Sequence, residues 1–98
     1  VYFAIAKILI DLDESTAGDQ RLIQQLVERL RKKFKISAMT LNDSGGIPVG
    51  VGVAMLASKE SDAHRKVDEI IRDCEEFGIG RVSWERALID HIDAIDEE

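Results

Sequence analysis

Cysteine is nearly absent from this 98-residue chain, which carries a single thiol, Cys74. One cysteine makes no internal disulfide, and it falls short of the thiolate ligands of a zinc site. Histidine is almost as scarce. His64 and His91 lie far apart and in no ligand spacing, so with Cys74 they form a poor zinc set. Long hydrophobic runs are missing too: nothing approaches the ~20 apolar residues of a membrane span. The first apolar stretch lacks the basic lead and small-residue cleavage site of a signal peptide. Aromatic residues make up only 5% of the chain, which leaves little for a base-stacking platform. No serine sits in a nucleophile-elbow context. The glycines of Val49–Val53 lack the G-x-G-x-x-G spacing and do not open a helix, so they form no phosphate loop. The expectation is a cytoplasmic, non-enzymatic protein with no cofactor and no metal.

What is present is the composition of a globular protein, 45% hydrophobic and 33% charged. The length suits one domain, residues 1–98, and one core. The net charge of −6 is uneven. Residues 85–98 hold six acids and one base, whereas the other 84 residues hold 13 acids and 12 bases. The body is therefore near neutral with an acidic C-terminal extension from residue 86. That balance opposes general nucleic-acid binding, which needs a basic surface.

Hydrophobic periodicity supplies the fold. Residues 2–12 alternate, with Ala4, Ala6, Ile8, Ile10 and Leu12 on one strand face and Phe3, Ile5 and Leu9 on the other. Asp13–Gly18 reads as a loop and Asp19 as a helix N-cap. Leu22, Ile23, Leu26, Val27, Leu30 and Phe34 form one helical stripe. A strand follows over Ile36–Leu41, then a hairpin connection at residues 42–46 (NDSGG), with Pro48 opening the next strand. In residues 49–57, Val49, Val51, Val53 and Met55 share one face, while Gly50, Gly52 and Ala54 leave the other nearly flat. A second helix spans about Ser61–Phe77, with Ala63, Val67, Ile70, Cys74 and Phe77 on its apolar side and Gly78 and Gly80 ending it. Residues 81–84 (RVSW) open a last strand. Beyond Glu85, Leu88, Ile89, Ile92 and Ile95 fit a short helix as well as a continued strand.

The order β-α-β-β-α-β predicts an α+β, ferredoxin-like two-layer sandwich: a four-stranded antiparallel sheet with both helices on one face. The first and third strands are the central ones, and both are apolar on more of their surface than a one-sided sheet requires. A second copy covering the open face or an edge strand is the natural consequence, since two-fold dimers are the commonest oligomers. Phe3, Ile5, Leu9 and Trp84 are the candidate dimer interface.

Other candidates each have an ordinary reading beside the functional one. Cys74 lies in register with the helix stripe and reads as a small buried hydrophobe. Asp11, Asp13 and Glu14 cluster where the first strand ends and could hold a hard cation, or simply solvate a loop. Trp84 reads as a core or subunit anchor. Arg29, Arg31, Lys32, Lys33 and Lys35 either complement the helix dipole or bind a partner, RNA and the ribosome included. The flat glycine face could also line a small-ligand pocket, which makes a sensor the rival of an interaction module.

The pattern L-x-x-R-L-R-x-x-F-x-[IV]-S-x, here Leu26 to Ala38 (LVERLRKKFKISA), resembles the YlxP-like family of small bacterial proteins of unknown function. The strand order and chain length match as well. The resemblance implies a ferredoxin-like fold, frequent dimers and a translation-associated setting, and it supplies no established catalytic residues. Where the family carries a basic run into its first helix, this chain has Ala17, Asp19 and Gln20, and its hairpin has no tryptophan.

Overall fold

A computed structural model describes residues 1–13 and 20–92. Its elements are β1 (Tyr2–Leu12), α1 (Gln20–Phe34), β2 (Ser37–Asn42), β3 (Pro48–Ala57), α2 (Glu60–Phe77) and β4 (Gly80–His91). The sheet is antiparallel with order β2-β3-β1-β4, so the two most apolar strands are central. This is the ferredoxin-like arrangement that the periodicity predicts.

The alternation in β1 sorts its side chains as expected. Ala4, Ala6, Ile8 and Ile10 are buried beneath the helices, with Val51, Val53 and Met55 of β3 beside them. From above, α1 contributes Ile23, Leu26 and Leu30, and α2 contributes Ala63, Val67, Ile70 and Cys74. Each large aliphatic side chain buried here is worth about 1.5–3 kcal/mol relative to exposure.

Local chemistry ends the elements. α1 stops at Lys35, whose φ of 54° is left-handed, and the Lys35 N–H donates to the Arg31 carbonyl at 3.0 Å. In the β2–β3 hairpin, Asp43 Oδ1 accepts the N–H groups of Gly45 at 2.8 Å and Ile47 at 3.0 Å, and Gly46 adopts φ 82°. Gly78, at φ 80°, caps α2.

Two readings beyond Glu85 were open in the sequence. β4 continues as a strand to His91, which settles the position of Leu88 and Ile89. Asp19, Glu14, Ile95 and the acidic run 93–98 lie outside the described residues. β4 also carries an irregularity where β1 passes from Leu9 to Ile10. Leu9 pairs with Trp84 and Ile10 with Val82, leaving Ser83 as the extra residue of a bulge. The Ser83 hydroxyl donates to the Leu9 carbonyl at 3.3 Å. The bulge lets Trp84 share the Leu9 face, away from the helices.

Candidate interaction surface

The sheet face that the helices leave open is built from cross-strand rows. From β2 to β4, one row reads Ser37, Ala54, Ile5, Leu88; the next reads Met39, Gly52, Lys7, Arg86; a third reads Leu41, Gly50, Leu9, Trp84. A shorter row joins Leu56, Phe3 and Asp90. Ile5, Met39, Leu56, Trp84 and Leu88 are all exposed, Leu56 at 66% and Trp84 at 43%. Trp84 is therefore a surface aromatic rather than a core anchor. The Lys7 ammonium lies 5.2 Å from the Trp84 ring centroid, a cation–π distance. Two cations, Lys7 and Arg86, face each other in the middle of the patch, with apolar rows on either side.

The missing side chains of β3 shape this face. A trough of about 380 Å³ runs over Gly52 and Ala54, flanked by Met39 and Leu41 on one side and Ile5 and Lys7 on the other. Leu41 leans across Gly52: a Cβ placed there would meet Leu41 Cδ2 at 3.1 Å. Gly50 is different, because a Cβ there would overlap the Ile8 carbonyl oxygen of β1.

The five cations near the end of α1 do not form one patch. Arg29 Nε donates to Asp73 Oδ2 at 2.8 Å and Arg29 Nη2 to Asp73 Oδ1 at 3.1 Å. Lys33 Nζ, one turn later, donates to Asp73 Oδ1 at 2.6 Å. The Asp73 side chain is 1% exposed, and these bonds tie α1 to α2. Hydrogen bonding from Arg29 holds the Asp73 carboxyl below the usual carboxylate range, against burial, which pushes it up, and with a further hydrogen bond from Lys33. Arg31 turns toward β2 and donates Nε to the Ala38 carbonyl at 2.9 Å, occupying part of that edge strand's free rim. Lys32 and Lys35 are exposed.

Asp73 is the residue that sequence reasoning missed. It is the one charged side chain buried among the described residues. The signal was there: it stands three residues after Ile70 and four before Phe77, on the apolar stripe itself.

Among the described residues no group of His, Cys, Asp or Glu is arranged to hold a metal ion, and no helix is long and apolar enough to cross a membrane. Asp11 lies 3.9 Å from Arg81 across the β1–β4 pair. His64 lies 3.7 Å from Glu60 on the exposed side of α2, and His91 packs edge-on against Tyr2. Cys74 is buried, and burial, followed by the Asp73 and Glu75 carboxylates, pushes its thiol pKa up to about 12. At pH 8 that leaves roughly one thiolate in ten thousand. Native Cys74 is expected to react with a thiol reagent on the order of a thousandfold slower than in denaturant, measured by stopped absorbance time courses. Comparable native and denatured rates would show that the thiol is accessible.

Comparison with known proteins places the fold and nothing finer. No family model and no curated protein matches the chain. Among solved structures it is similar to Rv0793 from Mycobacterium tuberculosis, with a TM-score of 0.53 over 95% of this chain and 97% of that one. At 11% identity, that likeness is one of architecture.

Proposed function

We propose that this protein is a non-enzymatic interaction module that self-associates and presents the open face of its sheet to a macromolecular partner. The observation that carries this reading is the exposure of Ile5, Met39, Leu56, Trp84 and Leu88 on one sheet face. Scattered apolar residues are ordinary on protein surfaces, but a contiguous patch rimmed by polar groups marks an interface. Phe3 and Leu9 lie on the same face of β1, so Phe3, Ile5, Leu9 and Trp84 belong to the contact surface, on either side of the Lys7–Arg86 row. The positions of Lys7 and Arg86 favour a partner that brings acidic as well as apolar groups.

The basic end of α1 supports an RNA role poorly, since Arg29 and Lys33 are engaged by Asp73 and Arg31 by the β2 edge. The resemblance to YlxP-like proteins nonetheless makes the bacterial translation apparatus the first place to look for the partner.

Light scattering on the eluting protein is expected to give twice the 10.9 kDa chain mass at high micromolar concentration. A monomer under those conditions would sink the self-association. Capture of a partner by the wild type and not by Leu56→Glu would support the open face as its docking surface. Equal capture by both would count against it.

A further inference from the structure

The two edges of the sheet are unequally protected. β2 is six residues long, and Arg31 bonds to its Ala38 carbonyl. β4 is twelve residues long, mostly exposed, and among the described residues β1 is its one strand neighbour. Long bare edges invite pairing with another chain, and charges or covering elements usually prevent it. The charges on β4 have a property that simple protection does not require: they are complementary to themselves.

The backbone phase identifies which groups of β4 point outward. The Ile92 N–H donates to the Val1 carbonyl at 2.8 Å, so Val1 and Ile92 form a hydrogen-bonded pair. Such pairs alternate along an antiparallel ladder. The even-numbered residues from Trp84 to Ile92 therefore bond to β1, and Glu85, Ala87, Ile89 and His91 direct their N–H and C=O groups away from the sheet. The His91 N–H fits this pattern, since it is turned to Asp90 Oδ1 at 2.7 Å.

A second β4 added antiparallel about a two-fold axis must pair residues of the same face. Axes at Glu85, Arg86 or Asp90 place a charge against its own copy. Within β4, Gly80–His91, axes at Ala87 or Ile89 pair no opposite charges. An axis at Leu88 sets Arg86 against Asp90 of the other copy, twice by symmetry. It also sets Glu85 against His91, Ala87 against Ile89, and Leu88 against itself. Ala87 and Ile89 then supply outward backbone groups where the ladder needs them.

We propose that two copies of this chain pair through β4, antiparallel and in the register centred on Leu88, to form one continuous eight-stranded sheet. The partner recognised is thus a second copy, by strand addition and by the Arg86–Asp90 charge pairs. A groove of about 530 Å³ lies between α2 and β4, where the apolar Val67, Ile71, Ala87 and Ile89 stand among charged groups of both elements, Glu60, Asp68, Glu85 and Arg86. Continuing the sheet past β4 brings the second α2 to the same side and closes over that groove. The open faces of the two copies become one surface, free for another partner. This inference rests on the self-association proposed above and adds its geometry.

Charge reversal tests the register. Arg86→Asp and Asp90→Arg each create two like-charge contacts, and each is expected to weaken dimerisation about tenfold or more. The double variant Arg86→Asp/Asp90→Arg restores both pairs and recovers near wild-type dimerisation. Singles without effect, or a double as weak as the singles, would overturn the register. A cross-link tests it independently. Leu88 residues facing each other in a non-hydrogen-bonded pair have Cα atoms about 4.5 Å apart, within disulfide reach. Leu88→Cys is expected to form a disulfide-linked dimer under mild oxidation, while Leu56→Cys, toward the β2 side, does not; Cys74 is buried and stays out of the reaction. A wild-type dimer in which Leu88→Cys fails to cross-link overturns the edge contact alone. A monomeric wild type overturns self-association with it.

Discussion

Gly50→Ala is expected to lower stability by about 3 kcal/mol or more, the upper part of the range for an added methyl with no room. For a domain of this size that is roughly 12–24 °C in midpoint. Gly50 sits between two neighbours, Leu9 of β1 and Leu41 of β2. A Cβ built there overlaps the Ile8 carbonyl oxygen and comes to 3.0 Å from the Leu9 Cα. Those are backbone atoms of a central strand, so relief requires β1 and β3 to separate. Gly52 provides the control two residues on. Its added Cβ meets the far end of Leu41, a side chain that can turn aside. Gly52→Ala is therefore expected to cost well under half as much. Urea unfolding of both variants measures the contrast, and equal losses would show that the close approach at Gly50 is not what holds the strand as glycine.

That contrast also shows how legibility in the sequence follows the physics. The flat side of β3 is readable from V-G-V-G-V-A because strand side chains alternate with a period of two. Which glycine touches backbone and which touches a side chain depends on the neighbouring strands, and no local pattern records it. β4 was ambiguous past Glu85 for a related reason. An edge strand exposed on most of its surface lacks the clean apolar alternation that burial imposes, so Leu88, Ile89 and Ile92 fit two periods. The bulge at Ser83 further breaks the alternation before Trp84.

The basic run from Arg29 to Lys35 reads as a unit because it is nearly contiguous in the chain. On a helix of 3.6 residues per turn its members point in different directions. Arg29 and Lys33, four apart, fall on the side facing α2, while Arg31 faces the β2 edge. Asp73 was overlooked because aspartate is rarely fully buried unless it is paired. Its partners are on another helix, beyond the reach of any sequence window.

Arg29→Met combined with Lys33→Met is expected to cost about 3 kcal/mol at neutral pH, the low end for orphaning a buried carboxylate such as Asp73. The low end applies because the cleft is open on the cation side, where Arg29 and Lys33 are 45% and 51% exposed. The pH dependence should change sign as well. In the wild type the folded-state pKa of Asp73 is depressed by its two donors. Its contribution is therefore complete above the unfolded value of about 3.9 and is lost as pH falls through the lower folded value. Without the donors only burial acts on the carboxyl, and burial raises its pKa. The double variant is then penalised at neutral pH and regains stability as pH falls toward about 4, while the wild type does not. The gap between the two, followed by chemical denaturation across that range, should narrow steadily. Adding Asp73→Asn to the double variant removes the stranded charge and should recover most of the loss at pH 7. A gap that stays constant with pH, or no recovery with Asn, would mean that Asp73 is hydrated rather than buried and that the α1–α2 contact stands on its apolar side chains alone.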